Sequence, residues 1–138
     1  MTPLTVQEEA VRNLLLEAHL SFESHHVFGL PDGDRISVDF LVFSGAGIVL
    51  ECTKCEKKRG RAVSEVRRRG AFMDYRFGLL KELLPRIRCG SLVEAPNEDQ
   101  AMMGPVLQKV LRRADFFARS LEELGTKLDR ITGTRSQG

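Results

Sequence analysis

The sequence predicts an α/β domain with a central mixed sheet, and three observations carry that expectation. Two β-branched apolar runs, residues 36–43 and 48–53, flank a Ser44-Gly45-Ala46-Gly47 break, which is the pattern of a β-hairpin. A stretch of helical period at residues 61–84 separates the second run from a further apolar run at 86–95. A strand reached through a helix is a crossover, so these two strands are expected to lie parallel. Helical stripes at both ends of the chain supply layers to cover the sheet. The expected order is helix, three strands, long helix, strand, helix.

Each element has its own signal. Thr5-Val6-Gln7-Glu8 fits a capping box, and Val11, Leu14, Leu15 and Ala18 follow the i, i+3, i+4, i+7 spacing, predicting a helix over 5–19. Glu8 is in register with Val11 and Leu15, at the edge of the inward face, with Glu9 beside it. Residues 21–30 form a strand with Phe22, Val27 and Phe28 apolar. It carries His25 and His26, which as neighbours on a strand point opposite ways, so at most one faces a given site. Leu30-Pro31-Asp32-Gly33-Asp34 is a turn leading into the hairpin. After a polar loop at 55–60, the 61–84 helix places Val66, Gly70, Met73, Phe77, Leu80 and Leu84 on one stripe. Gly70 and Gly78 are expected where that helix packs closely on the sheet or kinks. Pro85 ends it. After a loop at 96–104, Pro105 suits a first helical position, and Leu107, Val110, Leu111, Ala114, Phe117, Ala118, Leu121, Leu124 and Leu128 predict one last helix to Ile131. That stripe is broad enough to cover a sheet face and a second subunit, which suggests a homodimer. The whole reads as one domain over 1–131 with a flexible polar tail at 132–138.

Composition sets bounds on function. The chain has 138 residues, 42% hydrophobic and 29% charged, as expected of a single soluble domain. No apolar run approaches the roughly 20 residues that span a bilayer, and the N-terminus lacks the basic and apolar regions of a signal peptide, so a cytoplasmic protein is expected. Net charge is only +2, but from Lys54 to Arg69 eight Lys/Arg stand against two Glu. A local excess of that size favours a polyanionic partner; a solvated helix face is the simpler account of the same run. Three cysteines, Cys52, Cys55 and Cys89, an odd count, argue against a disulfide framework. Cys52 and Cys55 have C-x-x-C spacing, half of a zinc site or a redox pair, but no second pair accompanies them.

The chemistry is expected in the hairpin. Asp39 and Glu51 each sit in an apolar run, where a lone carboxylate is costly to bury without a partner. If the turn matches the strand faces, Asp39 shares its side with Leu41 and Phe43, Glu51 with Val49 and Thr53, and both acids point the same way. A divalent cation is the simplest partner for such a pair. Lys54 and then Lys57, Lys58, Arg59, Arg61, Arg67 and Arg68 follow, a layout suited to metal-assisted phosphodiester chemistry on a nucleic acid.

Ser37-Val38-Asp39, the hairpin, and Val49-Leu50-Glu51-Cys52-Thr53-Lys54 together resemble the PD-(D/E)XK nuclease superfamily, which includes restriction endonucleases and archaeal Holliday-junction resolvases. The resemblance covers roughly residues 5–95; its specific part is Asp39, Glu51 and Lys54. It implies a restriction-endonuclease-like αβββαβ core with an added C-terminal helix, and a Mg²⁺- or Mn²⁺-dependent endonuclease acting on DNA. It further implies Asp39 and Glu51 as metal ligands, joined by the Thr53 carbonyl and by Glu8 from the first helix, with Lys54 as the catalytic cation. Lys57, Lys58, Arg59, Arg61, Arg67 and Arg68 would grip phosphates. Lys54 stands one residue later than the family lysine. In a regular strand it faces away from Glu51, unless a bulge at 52–54 restores it or a cation near the start of the next helix, such as Arg61, replaces it. Two other classes fit the residues: a non-catalytic nucleic-acid-binding module on the same fold, and a zinc or redox protein built on the cysteines.

Overall fold

The computed structural model describes residues 3–56 and 61–133, with 61, 62 and 98 described by their backbone alone. Ten elements follow in chain order: helix α1 (Val6–Glu17), strands β1 (Phe22–Gly29), β2 (Arg35–Val42) and β3 (Ile48–Lys54), helix α2 (Arg61–Leu83), strand β4 (Arg88–Glu94), a 3₁₀ turn (Asn97–Asp99), helix α3 (Gln100–Val110), strand β5 (Phe116–Ala118) and helix α4 (Leu121–Thr132). The five strands lie in one open mixed sheet in their sequence order. β1, β2 and β3 are antiparallel neighbours; β4 is parallel to β3, as the crossover through α2 requires, and β5 is parallel to β4. Of the expected tail, Thr132 ends α4 and Gly133 caps it, while residues 134–138, like the basic run Lys57, Lys58 and Arg59, fall outside the described residues. No helix among those described is long and apolar enough to cross a membrane.

Two apolar layers sandwich the sheet. On one face α1 and α4 pack Val11, Leu15, Leu124 and Leu128 against Phe40, Val42, Ile48, Leu50 and Leu92. On the other, α2 and α3 pack Val66, Met73, Phe77, Leu80, Met103 and Leu107 against Val38, Leu41, Val49, Cys89 and Val93. β2 changes its phase between them: Ile36 and Val38 belong to the α2 layer, whereas Phe40 and Val42 belong to the α1 layer. Regular alternation would put all four on one face. The change falls at Asp39. The β1–β2 register is the same before and after it, Ser24 opposite Phe40 and His26 opposite Val38, but the His25–Asp39 position is skipped, and His25 takes φ +53°. No residue is inserted, so the strand pair turns over at this point without a bulge.

The last third of the chain differs from the single helix expected over 105–131. A helix starts earlier, at Gln100, contains Pro105 rather than beginning with it, and stops at Val110. Asp115 then anchors an extended segment to β4: its N–H donates to the Cys89 carbonyl (2.7 Å) and its carboxylate accepts the Cys89 N–H (2.8 Å) and Lys81 Nζ (2.7 Å). Ser120 caps the start of α4, its hydroxyl accepting the Glu123 N–H (3.1 Å). The Ser120-x-x-Glu123 spacing was the signal for this second helix start; the apolar period runs on through the break and conceals it.

Two glycines mark close approaches. A Cβ on Gly70 would lie 2.9 Å from Val110 and one on Gly78 2.8 Å from Arg113, so these positions admit α3 and the segment after it, not the sheet. In β4, a Cβ on Gly90 would lie 2.1 Å from the Phe116 ring. Gly90→Ala is therefore expected to overpack the β4–β5 contact and destabilise the fold by about 1–3 kcal/mol. Urea denaturation checks this; an unchanged midpoint would show that Phe116 can swing aside freely.

Candidate metal centre and arginine-lined cleft

The site is built where β2 and β3 part. Their backbone ladder runs Val42–Ile48, Leu41–Val49, Phe40–Leu50 and stops there. At the next position Asp39 faces Glu51, and the Asp39 side chain takes over: its Oδ2 accepts the Cys52 N–H at 2.7 Å. A carboxylate thus satisfies a backbone donor that the separating strand would have left without a partner. The gap between the strands opens into a cleft of about 620 Å³ lined by Asp39, Glu51, Thr53, Arg68, Arg69, Phe72 and Arg76, among others.

Four acidic or imidazole groups converge here. Glu51 is 4% exposed. Burial first, then the charge of Asp39, pushes its carboxyl up to about 8, against the pull of Arg76. Asp39 is also raised: burial does most of this, the Cys52 N–H and Glu51 oppose it, and the neighbouring Glu8 carboxylate adds a smaller upward push. Glu8 performs two tasks with its two oxygens. Oε1 accepts the Thr5 N–H (2.8 Å), closing the capping box at the start of α1, while Oε2 lies 3.4 Å from His25 Nε2. Burial works against its charge, but the hydrogen bonds from Thr5, Asp39 and His25 hold its carboxyl below the usual range. One ligand atom from each of Glu8, His25 and Asp39 lies within 4.8 Å of the other two, a spacing that fits a cation. The left-handed backbone at His25 is what turns its ring to this side; His26 instead pairs with Glu23 (3.1 Å) and packs on Phe28.

The cations come from the middle of α2. Arg76 Nη1 lies 2.6 Å from Glu51 Oε1, and its Nη2 donates to the Ser37 carbonyl. The Glu51 contact is an ion pair without hydrogen-bond alignment, so this buried oxygen has no donor pointed at it among the described residues. Arg69 donates to Thr53 Oγ1 (2.5 Å), and both Arg68 and Arg69 donate to the buried Glu65 (2.7 and 2.6 Å). Those two bonds hold the Glu65 carboxyl below its usual range.

The sequence-predicted site residues fall into three groups. Asp39, Glu51 and Glu8 come together, and Arg68 reaches the same cleft. Lys54 does not: β3 runs on without a bulge, and Lys54, with a side chain 58% exposed, pairs with Glu56 at 3.6 Å. The Thr53 carbonyl, expected at the metal, accepts the Gln7 side-chain amide (2.8 Å). Arg67 lies on another side of α2, beside Met102, Pro105 and Lys109 of α3. The backbone of Arg61 opens α2, and its side chain lies outside the described residues, as do Lys57, Lys58 and Arg59. Sequence reasoning missed Phe72 and Arg76 as site residues, left the choice between His25 and His26 open, and read Arg69 only as part of the basic run. The helical spacing of 69, 72 and 76 was visible, but not which side of α2 faces the hairpin. The cysteines do not converge. Cys52 packs with the α1 layer and Cys55 and Cys89 with the α2 layer, and burial raises all three thiols, Cys89 to about 12. Comparison with models of known protein families and with curated proteins gave no match to this chain.

The raised Glu51 carboxyl has a stability consequence with a definite sign. A buried acid whose folded pKa lies above its unfolded value binds more protons in the folded state, so its contribution is full at low pH and is lost as pH rises from about 4.5 to about 8. Metal-free wild type should lose roughly 2–4 kcal/mol relative to Glu51→Gln between pH 5 and pH 8. Urea melts in EDTA at those two pH values measure the difference; parallel pH profiles for the two proteins would refute the buried, proton-holding carboxyl.

Proposed function

We propose that this chain is a divalent-metal-dependent endonuclease that hydrolyses DNA phosphodiester bonds, on a restriction-endonuclease-like αβββαβ core extended by α3, β5 and α4. The observation that carries this reading is the carboxylate pair of half-buried Asp39 and buried Glu51, facing each other at the mouth of a cleft walled by arginines. An ordinary salt-bridge network would satisfy its acids; here burial raises both carboxyls, the Asp39 charge raises Glu51 further, and Glu51 Oε1 has no hydrogen-bond donor among the described residues. That donor set suits Mg²⁺ or Mn²⁺, and the His25 nitrogen favours Mn²⁺ among the two.

Asp39 and Glu51 would hold the cation, with Glu8 and His25 as the ligands on the α1 side. When bound, such an ion supplies a Lewis acid and an acidified water. The chain's own residues do the rest. Arg76 keeps the Glu51 carboxylate against the cleft wall and stands in for the displaced Lys54 as the cation nearest the reacting phosphate. Glu65 fixes Arg68 and Arg69 in place, so their guanidinium groups meet phosphates without reading sequence. A second reading, a non-catalytic DNA-binding module on the same fold, is favoured by one observation: Lys54 points to Glu56 and away from the acids.

One assay separates the two. Plasmid, linear duplex, single-stranded and four-way-junction DNA are incubated with wild type, Asp39→Asn, Glu51→Gln, Arg76→Ala and Lys54→Ala, in Mg²⁺, Mn²⁺ or EDTA. The nuclease reading expects metal-dependent cutting, lost by at least about 100-fold in Asp39→Asn and Glu51→Gln with DNA binding retained. It expects a clear loss in Arg76→Ala and a near-normal rate in Lys54→Ala. Salt-sensitive binding without cutting by wild type would establish the binding module instead.

A further inference from the structure

Phe72 is an anomaly on α2. It lines the cleft of the carboxylates, yet it is 62% exposed, one of the largest apolar side chains left in solvent. The Arg76 guanidinium lies over its ring, 5.5 Å from the centroid. Arg68, Phe72, Tyr75 and Arg76 stand at i, i+4, i+7 and i+8, so the helix presents them on one face, and Tyr75 is 61% exposed as well. Arg69 flanks the same cleft. An apolar ring kept in water among guanidinium groups matches a ligand that is flat and apolar on one part and anionic on another. Among the polyanions this site could meet, that is an unpaired nucleotide: the base stacks, and its neighbouring phosphates meet the arginines. In an intact duplex each base face is already covered by the next base, so Phe72 would have nothing to stack on.

We propose that Phe72, with Arg68 and Arg69, forms a seat for an unpaired nucleobase and its flanking phosphates beside Asp39 and Glu51, so the site takes single-stranded or locally unpaired DNA in preference to continuous duplex. This rests on the nuclease reading and narrows its substrate. Phenylalanine carries no hydrogen-bonding group, so the seat accepts any base.

The test measures binding by fluorescence anisotropy, with Ca²⁺ in place of Mg²⁺ so that the probe stays intact. The probes are one labelled oligonucleotide as a single strand, the same sequence as a duplex, and a single strand carrying abasic sites. Wild type should bind the single strand more tightly than the duplex. Phe72→Ala should weaken single-strand binding by about 5- to 150-fold and leave duplex binding unchanged. Phe72→Trp should keep it, and abasic sites should mimic Phe72→Ala on wild type. Phe72→Leu fills the same space without an aromatic face and decides the matter should the alanine variant melt early. Equal affinity of wild type and Phe72→Leu for the single strand would overturn the seat, as would equal losses on single strand and duplex. Metal-dependent cutting that is lost in Glu51→Gln but unaltered in Phe72→Leu would leave the nuclease standing and remove only the seat. Absence of any salt-sensitive DNA binding by wild type would remove both.

Discussion

The structure depends on one hydrogen bond, from the Cys52 N–H to the Asp39 carboxylate. A sheet can end its ladder between two central strands only if the backbone groups released there find other partners. Asp39 supplies one, and so lets β2 and β3 diverge in the interior of the sheet, with β1 still paired on one side and β4 on the other. At the same residue β2 exchanges its apolar faces between the two helical layers. The carboxylate is therefore held at a seam. It faces Glu51 and the α2 cleft in one direction, and Glu8 and His25 of the α1 side in the other.

The cluster is electrostatically uncomfortable without a cation. Glu8, Asp39 and Glu51 are all partly or fully buried; Asp39 is raised toward protonation by burial and by Glu8, and Glu51 by burial and by Asp39. Such arrangements are common at functional sites and rare where stability alone shapes the interior. Arg76 offsets part of the charge but meets Glu51 without hydrogen-bond alignment. A small cation placed among these carboxylates would relieve the repulsion more completely than one guanidinium at the cleft wall.

Helix α2 ties this seam to the rest of the molecule. Its apolar stripe of Val66, Met73, Phe77 and Leu80 is fully committed to the core, and Gly70 brings α3 close. That packing fixes the helix rotation. The polar flank carrying Arg68, Arg69 and Arg76 then has no freedom but to face the parted strands. Glu65, buried beneath the first two, locks their orientation. The cleft is thus a by-product of core packing on one side and of the Asp39 seam on the other.

Local signals were enough for much of this. The hairpin, the capping box at Thr5, the α2 stripe and the parallel β4 follow from period, turn chemistry and crossover handedness, all of which act within a few residues or through one connection. The pairing of Asp39 with Glu51 was legible for the same reason, since a short turn sets the register of its own strands. The break of the last helix at Val110 was not, because an apolar stripe reads alike whether it covers a sheet as one helix or as helix, strand and helix; what decides is the bond of Asp115 to β4, far away in sequence. Nor could the sequence choose the cation. Lys54 is adjacent to the acids along the chain, yet strand alternation carries it to solvent, while Arg76 arrives from 25 positions downstream because the α2 core face leaves it no other direction. By itself the sequence determined which acids sit opposite each other. The tertiary structure decided which cations, which imidazole and which aromatic ring surround them, since those side chains are placed by packing between elements that share no local signal.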